Sequence, residues 1–209
     1  MNFDKNKSTT FSNHSLGEWL VQAIKKKCLK GNITYGDNFR ILGKLPLVKT
    51  PRSGRILLGN NVTLNSDFMN SNSALTTAVK LTTGYEGVIE IGNNSILNGS
   101  CVVAYKSVEI GSYCEIASCT VITDTYFHPV SPDIRLKQMK GEPFSFGEVN
   151  KASIKIGNNC WIGYGSIILK GVRLGNNCIV AAGTIIPGNS VFPDNCIIAG
   201  NPGKIVKYL

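Results

Sequence analysis

Residues 156–197 read IGNNCW, IGYGSI, ILKGVR, LGNNCI, VAAGTI, IPGNSV and FPDNCI, and Ile198 opens the closing IAGNPG. An aliphatic or aromatic residue recurs every six positions, at Ile156, Ile162, Ile168, Leu174, Val180, Ile186, Phe192 and Ile198. Four positions after most of them stands a small or β-branched residue: Cys160, Ser166, Val172, Cys178, Thr184, Ser190, Cys196. Neither the helical period of 3.6 nor the strand period of 2 gives this pattern. An unbroken register of this length is a repeat architecture. Each hexad supplies a short extended segment and a turn, so three hexads close a triangular coil of eighteen residues. Stacking then places residue i over i+18, with Ile156, Leu174 and Phe192 in one interior column and Cys160, Cys178 and Cys196 in another. Gly and Asn in the G-N-N, G-Y-G and P-G-N triplets suit the corners, because both tolerate positive φ. One coil cannot bury its apolar side alone; stacking makes the core continuous. The fold expected is an all-β parallel β-helix. A sandwich of short strands predicts turns at about 8–12-residue spacing and gives no reason for a count of six.

Outward from this run the count weakens and breaks. Residues 31–64 form early coils, with Leu58 and Leu64 six apart, and residues 65–87 depart from the period. The hexads resume at Ile91, Leu97 and Val103, and restart at Ile110, Ile116 and Ile122. Between Ile122 and Ile156 lie 33 residues where the repeat would continue in twelve or eighteen, so at least one coil is expected to be extruded or elaborated. Loops held by a rigid scaffold are where function concentrates. This one, over 123–153, carries His128, and near it Asp124, Tyr126 and Arg135 where the chain leaves the regular coils; the other histidine is His14. At the other end, residues 1–14 are polar. SLGEWLVQAIKKKCL (15–29) then places Leu16, Trp19, Leu20, Ala23, Ile24 and Cys28 on one helical face, with Lys25–Lys27 at the C-terminal end and Ser15 and Glu18 as a capping pair. That helix is expected to pack on the first coil or on a neighbouring subunit, with peripheral membrane contact as a minor alternative. The organisation is thus a tail and short helix over 1–30 and a β-helix domain over 31–207.

Composition narrows the function. At 209 residues the chain suits one domain, and its formal charge is +9. The lysines are scattered apart from Lys25–Lys27, and no aromatic-interleaved basic stripe points to nucleic acid. A polyanionic small molecule explains the basic balance equally well. No apolar segment spans a bilayer, and the first residues lack the core of a signal peptide. Seven cysteines, with Cys101, Cys114, Cys160, Cys178 and Cys196 at positions assigned to the interior, read as apolar filling in a reducing, cytoplasmic setting. Metal-ligand spacing is absent, and no metal is expected.

The hexads, together with FHPVSPDIR, NNCWIGYGSIILKGVRLG and AGNPGKIVKYL, closely resemble the acyl-CoA-dependent acetyltransferases of the left-handed β-helix (hexapeptide-repeat) superfamily. Within it the sugar O-acetyltransferases are most similar: the galactoside, maltose and nodulation types and those that decorate bacterial surface polysaccharides. The resemblance covers about residues 31–207. It implies the left hand of the coil, acetyl-CoA as cosubstrate, and a homotrimer with active sites between subunits. It implies a catalytic base at His128 and a loop-holding, acceptor-side arginine at Arg135. Trp161, the turn Ala181–Ala182–Gly183, and Lys204 and Lys207 near the nucleotide phosphates would bind the cofactor. Asn98 is the nearest match to the acceptor-orienting asparagine. The chain departs from the galactoside enzymes in having Pro187-Gly188-Asn189 after the turn. The length of the loop is also similar to the xenobiotic branch, which acetylates amines.

Chemistry fits the base. A sugar hydroxyl is a poor nucleophile toward a thioester, whereas imidazole, with an ordinary pKa of about 6.5, is largely neutral at pH 7 and can take the proton, worth about 10²–10⁴-fold. Direct transfer through a tetrahedral intermediate is expected, with an acyl-cysteine as the rival route. Asp124, Glu148 or a backbone carbonyl would orient the imidazole, and Asp124 is preferred. Lys155 and Lys170 join Lys204 and Lys207 as candidates for the cofactor's phosphates. The expected reaction is acetyl transfer to a hydroxyl of a sugar or surface-polysaccharide precursor. The alternative is transfer to an amino sugar or small-molecule amine.

Overall fold

A computed structural model describes residues 16–71 and 74–209. Its strands form three parallel sheets, of seven (sheet A), eight (sheet B) and six strands (sheet C), that wrap one interior. Only the last strand of sheet B, Lys204–Tyr208, runs antiparallel to its neighbour. The chain visits A, B and C in turn, so each coil adds one strand to every face of a triangular prism. The fold is a parallel β-helix with two α-helices, α1 (Leu16–Cys28) and α2 (Pro132–Met139). Among the described residues no helix is long and apolar enough to cross a membrane.

The eighteen-residue columns stand as the period requires. Ile156, Leu174 and Phe192 pair in register in sheet A, Ile162, Val180 and Ile198 in sheet B, and Ile168 with Ile186 in sheet C. All are buried, as are Ile56, Leu64, Leu81, Leu97, Ile110, Ile116 and Ile122 in the coils below. Alternation then turns the intervening side chains outward, and the three outer faces differ. Sheet A presents Glu90, Glu109, Lys155 and Arg173 in one register row. Sheet B presents Ile96, Glu115, Trp161, Ile179 and Ile197, and sheet C presents Val121, Ile167 and Ile185.

The corner between sheets A and B shows why Asn recurs. Asn38, Asn61, Asn94, Asn159, Asn177 and Asn195 all have φ between 53° and 59°. Their carboxamides link coil to coil, from Asn38 to Asn61 (3.0 Å), Asn61 to Asn94 (2.9 Å), Asn159 to Asn177 (2.9 Å) and Asn177 to Asn195 (2.8 Å). The preceding residue of each turn accepts the backbone N–H of the coil below, as Asn176 does for Asn158 and Asp194 for Asn176 (2.8 Å each). Tyr113 occupies one rung at φ 60° and breaks the carboxamide ladder there.

Two expectations need correction. Cys101 lies on the outward row of sheet C, between Lys80 and Val121, because its strand is entered one residue out of phase with the hexads; it is half-buried. The helix α1 does dock on the first coil, as one of the two expected placements had it, but by its polar side. Gln22 Nε2 donates to Ile41 O and Gln22 Oε1 accepts from Ile41 N–H (2.9 Å each), which satisfies the open edge of sheet B as another strand would. Lys25 Nζ adds a bond to Gly43 O (2.6 Å). Trp19, Leu20, Val21 and Ile24 are left exposed instead of packing on the coil. The polar segment 1–14, His14 and the Ser15 cap lie outside the described residues.

Candidate active site

The long interruption leaves the prism at the corner between sheets C and A. Strand Val121–Thr123 ends there, strand Ile154–Ile156 re-enters in register, and Ile110 pairs with Ile156 across the gap. The neck is a short antiparallel ribbon, with Thr125 bridged to Lys151 and Tyr126 N–H donating to Asn150 O (3.2 Å). Asp124 fastens it. One carboxylate oxygen accepts from Tyr105 N–H and the other from Lys106 N–H (2.7 Å each), while its own carbonyl accepts from Ala152 N–H (2.9 Å). Burial pushes the Asp124 carboxyl above its ordinary 3.8, and the backbone donors of Tyr105, Lys106 and Ser107 pull it back in part.

Beyond the neck Phe127 takes φ 62°, an uncommon conformation for a bulky residue, and its ring meets Tyr105 edge-on at 6.0 Å. This sharp bend presents His128 to solvent. The helix α2 grips the bend through two side chains three residues apart. Arg135 Nη1 donates to Val130 O (3.0 Å) and Pro129 O (3.4 Å). Gln138 Oε1 lies 2.9 Å from His128 Nδ1, and Gln138 Nε2 donates to Phe127 O (3.5 Å). The second bond fixes which end of the amide faces the ring. An amide oxygen only accepts, so Nδ1 carries the proton and the neutral ring keeps its lone pair on Nε2. That is the tautomer a general base needs.

Asp124 therefore does not orient the imidazole; both its oxygens face the turn beneath, and Gln138 meets Nδ1. Sequence reasoning missed Gln138, since the loop has no period to place it. The available signal was Ser131-Pro132-Asp133, a helix start with Pro at its first position. Glu148 lies in a short 3₁₀ turn, Phe146–Glu148, and is exposed. Arg135 is engaged with the loop's own carbonyls.

The second group of predicted residues occupies another edge, between sheets B and C. Trp161 projects from sheet B, 52% exposed, and shares its outward row with Ile179, Ile197 and Lys207. Lys207 thus stands three strands from Trp161, about 14 Å at the usual strand spacing. Lys204 pairs with Ala199 on the adjacent row. That row runs downward through Ala181, Gly163 and Ala117 to Asn98, which accepts from Asn65 Nδ2 (2.9 Å) and donates to Glu115 Oε1 (3.4 Å). Ala182 and Gly183 are exposed in the turn. At Gly165 and Gly183, with φ 65° and 70°, an added Cβ would meet nothing within 4 Å. At Gly163, the first residue of the same turn as Gly165, it would strike the Ala182 N–H of the next coil at 2.6 Å, and at the equivalent Gly157 and Gly175 on the A–B corner it would likewise strike the next coil. The ledge along the B–C edge thus carries small residues at Ala117, Gly163, Gly165 and Ala181–Gly183, with the exposed Tyr164 among them.

Two other lysines are committed elsewhere. Lys155 Nζ pairs with Glu109 at 2.9 Å on sheet A, and Lys170 Nζ sits 4.7 Å over the Tyr126 ring. The interior thiols are poor nucleophiles. Burial pushes Cys178 up and Cys196 to about 12, and Cys160 is raised most by its hydrogen bond with Cys114, whose own value that bond lowers. Among the described residues no group of His, Cys, Asp and Glu is arranged to hold a metal. Nor does any hydrogen bond or ring contact among them join the loop of His128 to Trp161 or to the Ala181–Gly183 turn. The width of sheet C, about five residues or 17 Å, separates the two edges.

The bacterial transferase hexapeptide pattern (six repeats) matches residues 153–188. No curated protein matches the chain by sequence. Among solved structures, a point mutant of AntD, an N-acyltransferase from Bacillus cereus in complex with dTDP-4-amino-4,6-dideoxyglucose and coenzyme A, superimposes with a TM-score of 0.63 at 21% identity, over 90% of this chain and 88% of that one. The polySia-specific acetyltransferase NeuO gives 0.55 at 19% identity over 85% and 87%. A maltose O-acetyltransferase from Clostridium difficile gives 0.52 at 20% over 96% and 79%. Identities this low speak for the fold. The chain carries the bacterial transferase hexapeptide repeat, and its fold is the left-handed parallel β-helix of the hexapeptide-repeat acyltransferases.

Proposed function

We propose that this protein transfers an acetyl group from acetyl-CoA to a hydroxyl of a sugar or surface-polysaccharide precursor, with His128 as general base. The observation that carries the reading is the His128–Gln138 pair, which holds an imidazole at the tip of the extruded loop with Nε2 free to accept a proton. The B–C ledge suits the cosubstrate. Its glycines leave room for the narrow pantetheine arm, Trp161 offers an apolar wall, and Lys204 and Lys207 lie at the end where phosphates would rest. Structures of the same fold that hold coenzyme A, such as AntD, support coenzyme A as the carrier of the acyl group.

In the reaction Nε2 takes the hydroxyl proton as the acceptor oxygen bonds to the thioester carbonyl carbon. The C–S bond then breaks, and the proton passes to the leaving thiolate. Arg135 and Gln138 keep the ring in place and in one tautomer, so the geometry exists before the acceptor arrives. Asp124 acts on the loop neck, one step removed.

Because His128 and the ledge stand on different edges of one prism, a second copy would complete the site. A homotrimer of parallel prisms does this if the C–A edge of one subunit lies against the B–C edge of the next. The free thiols fit a cytoplasmic setting. One observation favours a second reading, transfer to an amine: AntD, at 21% identity, is an N-acyltransferase crystallised with an amino-sugar nucleotide. The test is thiol release from acetyl-CoA against a panel of sugars, oligosaccharides and nucleotide-linked amino sugars. His128→Ala should lower turnover with the true acceptor about 10²–10⁴-fold. Unchanged turnover would refute the base, and preference for amines over hydroxyls would select the second reading.

A further inference from the structure

The polar docking of α1 leaves an amphipathic helix with its apolar side outward. Gln22, Lys25, Lys26 and Leu29 face the coil, on positions i, i+3, i+4 and i+7. The opposite arc holds Leu20, Val21, Ile24, Lys27 and Cys28. Leu20 and Ile24 are each 53% exposed, Val21 48%, and Trp19 beside them 64%. An apolar stripe about 100° wide usually faces a core; here it faces away from its own. At the end of α1 the stripe runs into an open groove of about 550 Å³ lined by Leu29, Leu45, Leu47 and Val48, with Lys30 and Lys49 among its walls.

The charge of the molecule gathers at the same end. Residues 16–60, which form α1, the first coil and the first strand of the second, contain nine Lys and Arg against Glu18 and Asp37, a net +7 of the chain's +9. Residues 61–209 contribute +1. Lys27, Lys30, Arg40, Lys44, Lys49, Arg52 and Arg55 are all exposed. An apolar stripe with Trp at its flank, set in a field of lysine and arginine, is complementary to one kind of surface. The apolar side chains enter the headgroup boundary while the cations meet anionic headgroups, each worth more together than alone.

We propose that this end of the prism is a docking surface for an anionic lipid bilayer, with Leu20, Val21 and Ile24 as the inserting row, Trp19 at the interface and Lys27 and Lys30 as headgroup contacts. Docking so oriented stands the prism upright on the membrane. The coil that bears His128 lies three sheet-C strands above the first coil, about 14 Å. Surface binding here requires neither the acyl-transfer chemistry nor its cosubstrate, so it stands or falls apart from the catalytic reading.

The test uses the full chain with vesicles of about 30% phosphatidylglycerol in phosphatidylcholine, and of phosphatidylcholine alone. Trp161→Phe leaves Trp19 as the single tryptophan reporter. Its emission should shift to the blue and saturate with anionic vesicles, stay unshifted with neutral ones, and lose the shift at high salt. Sedimentation with anionic vesicles should fall at least about tenfold in the Leu20→Glu, Ile24→Glu double variant and in Lys27→Glu, Lys30→Glu. The charge variants guard against a folding defect in the apolar ones. No shift and no sedimentation would overturn the proposal, as would equal binding to neutral vesicles. If the chain ignores vesicles and the Leu20→Glu, Ile24→Glu variant changes the mass of the assembly, a second copy covers the stripe and the proposal fails.

Discussion

At the scale of the residue, the site turns on which group meets Nδ1 of His128. Gln138 accepts there at 2.9 Å and donates back to Phe127 O, so it reads out both the tautomer and the bend of the loop. Gln138→Leu keeps the volume and removes the acceptor. We expect kcat to fall about ten- to a hundredfold, roughly 1.4–2.7 kcal/mol, with KM for acetyl-CoA unchanged. Gln138→Glu keeps an acceptor and adds a negative charge, which favours imidazolium. It should therefore retain more activity than Gln138→Leu while moving the acid limb of the pH–rate profile to higher pH. A purely structural glutamine would give two variants with parallel, unshifted profiles. His128 itself was legible in the sequence because it sits where a strict count fails. Its partner was not. Asp124 is closer along the chain and chemically the better candidate, but its carboxylate is drawn to the two N–H groups of the Tyr105–Lys106 turn, which the coil leaves without strand partners. Sequence distance from the histidine carries no information about which way a corner side chain turns.

At the scale of the element, the repeat made the prism readable. Each hexad repeats one physical solution, an inward aliphatic residue followed by a turn whose third residue takes positive φ. The interior columns of sheets A, B and C therefore follow from counting. Elements outside the repeat had no such support. The helix α2 has a recognisable start, Ser131-Pro132-Asp133, but no buried residue and hence no periodic apolar signal. The helix α1 misled by the opposite route: its apolar stripe is plain in the sequence, but the edge of sheet B offered Ile41 N–H and C=O, and Gln22 satisfied both. Tyr113 tests the corner rule. It holds the left-handed position that Asn holds on six other coils, without a carboxamide for Asn94 or Asn159. Tyr113→Asn should rejoin the two half-ladders and relieve a bulky side chain at φ 60°. We expect a gain of about 0.5–1 kcal/mol, or roughly 1–4 °C in Tm for a chain of this size, measured by thermal unfolding. A lower Tm would mean that the Tyr113 ring contributes packing that outweighs the missing rungs.

At the scale of the whole molecule, the three faces of the prism have unequal chemistry. Sheet A carries the Glu90, Glu109, Lys155, Arg173 row and is suited to water. The Glu109–Lys155 pair on it is about half exposed and worth little, about 0–1 kcal/mol. In their upper coils sheets B and C carry half-buried aliphatic residues, Ile179 and Ile197 on one and Val121, Ile167 and Ile185 on the other, with the exposed Glu115 and Trp161 beside them on sheet B. A heterologous contact, repeated by rotation, closes into a ring, and three copies would complete the proposed one. A contact that sets the C–A edge with His128 of one subunit against the B–C ledge of the next brings the two groups together. Each site would then draw its base from one chain and its cofactor ledge from its neighbour. This has a quantitative consequence. His128→Ala removes the base, and Ala182→Trp fills the ledge with a side chain pointing outward, so either homotrimer should be nearly inactive. When the two chains are co-expressed in equal amounts and assembled at random, a site works only where an unaltered His128 meets an unaltered ledge. That pairing occurs with probability one half times one half, so activity should recover to about a quarter of wild type in a cyclic trimer. If each site were built within one chain, every chain would carry one defect and no mixture would recover. Light scattering on the same samples gives the mass, and recovery without a trimeric mass would assign the shared site to another assembly.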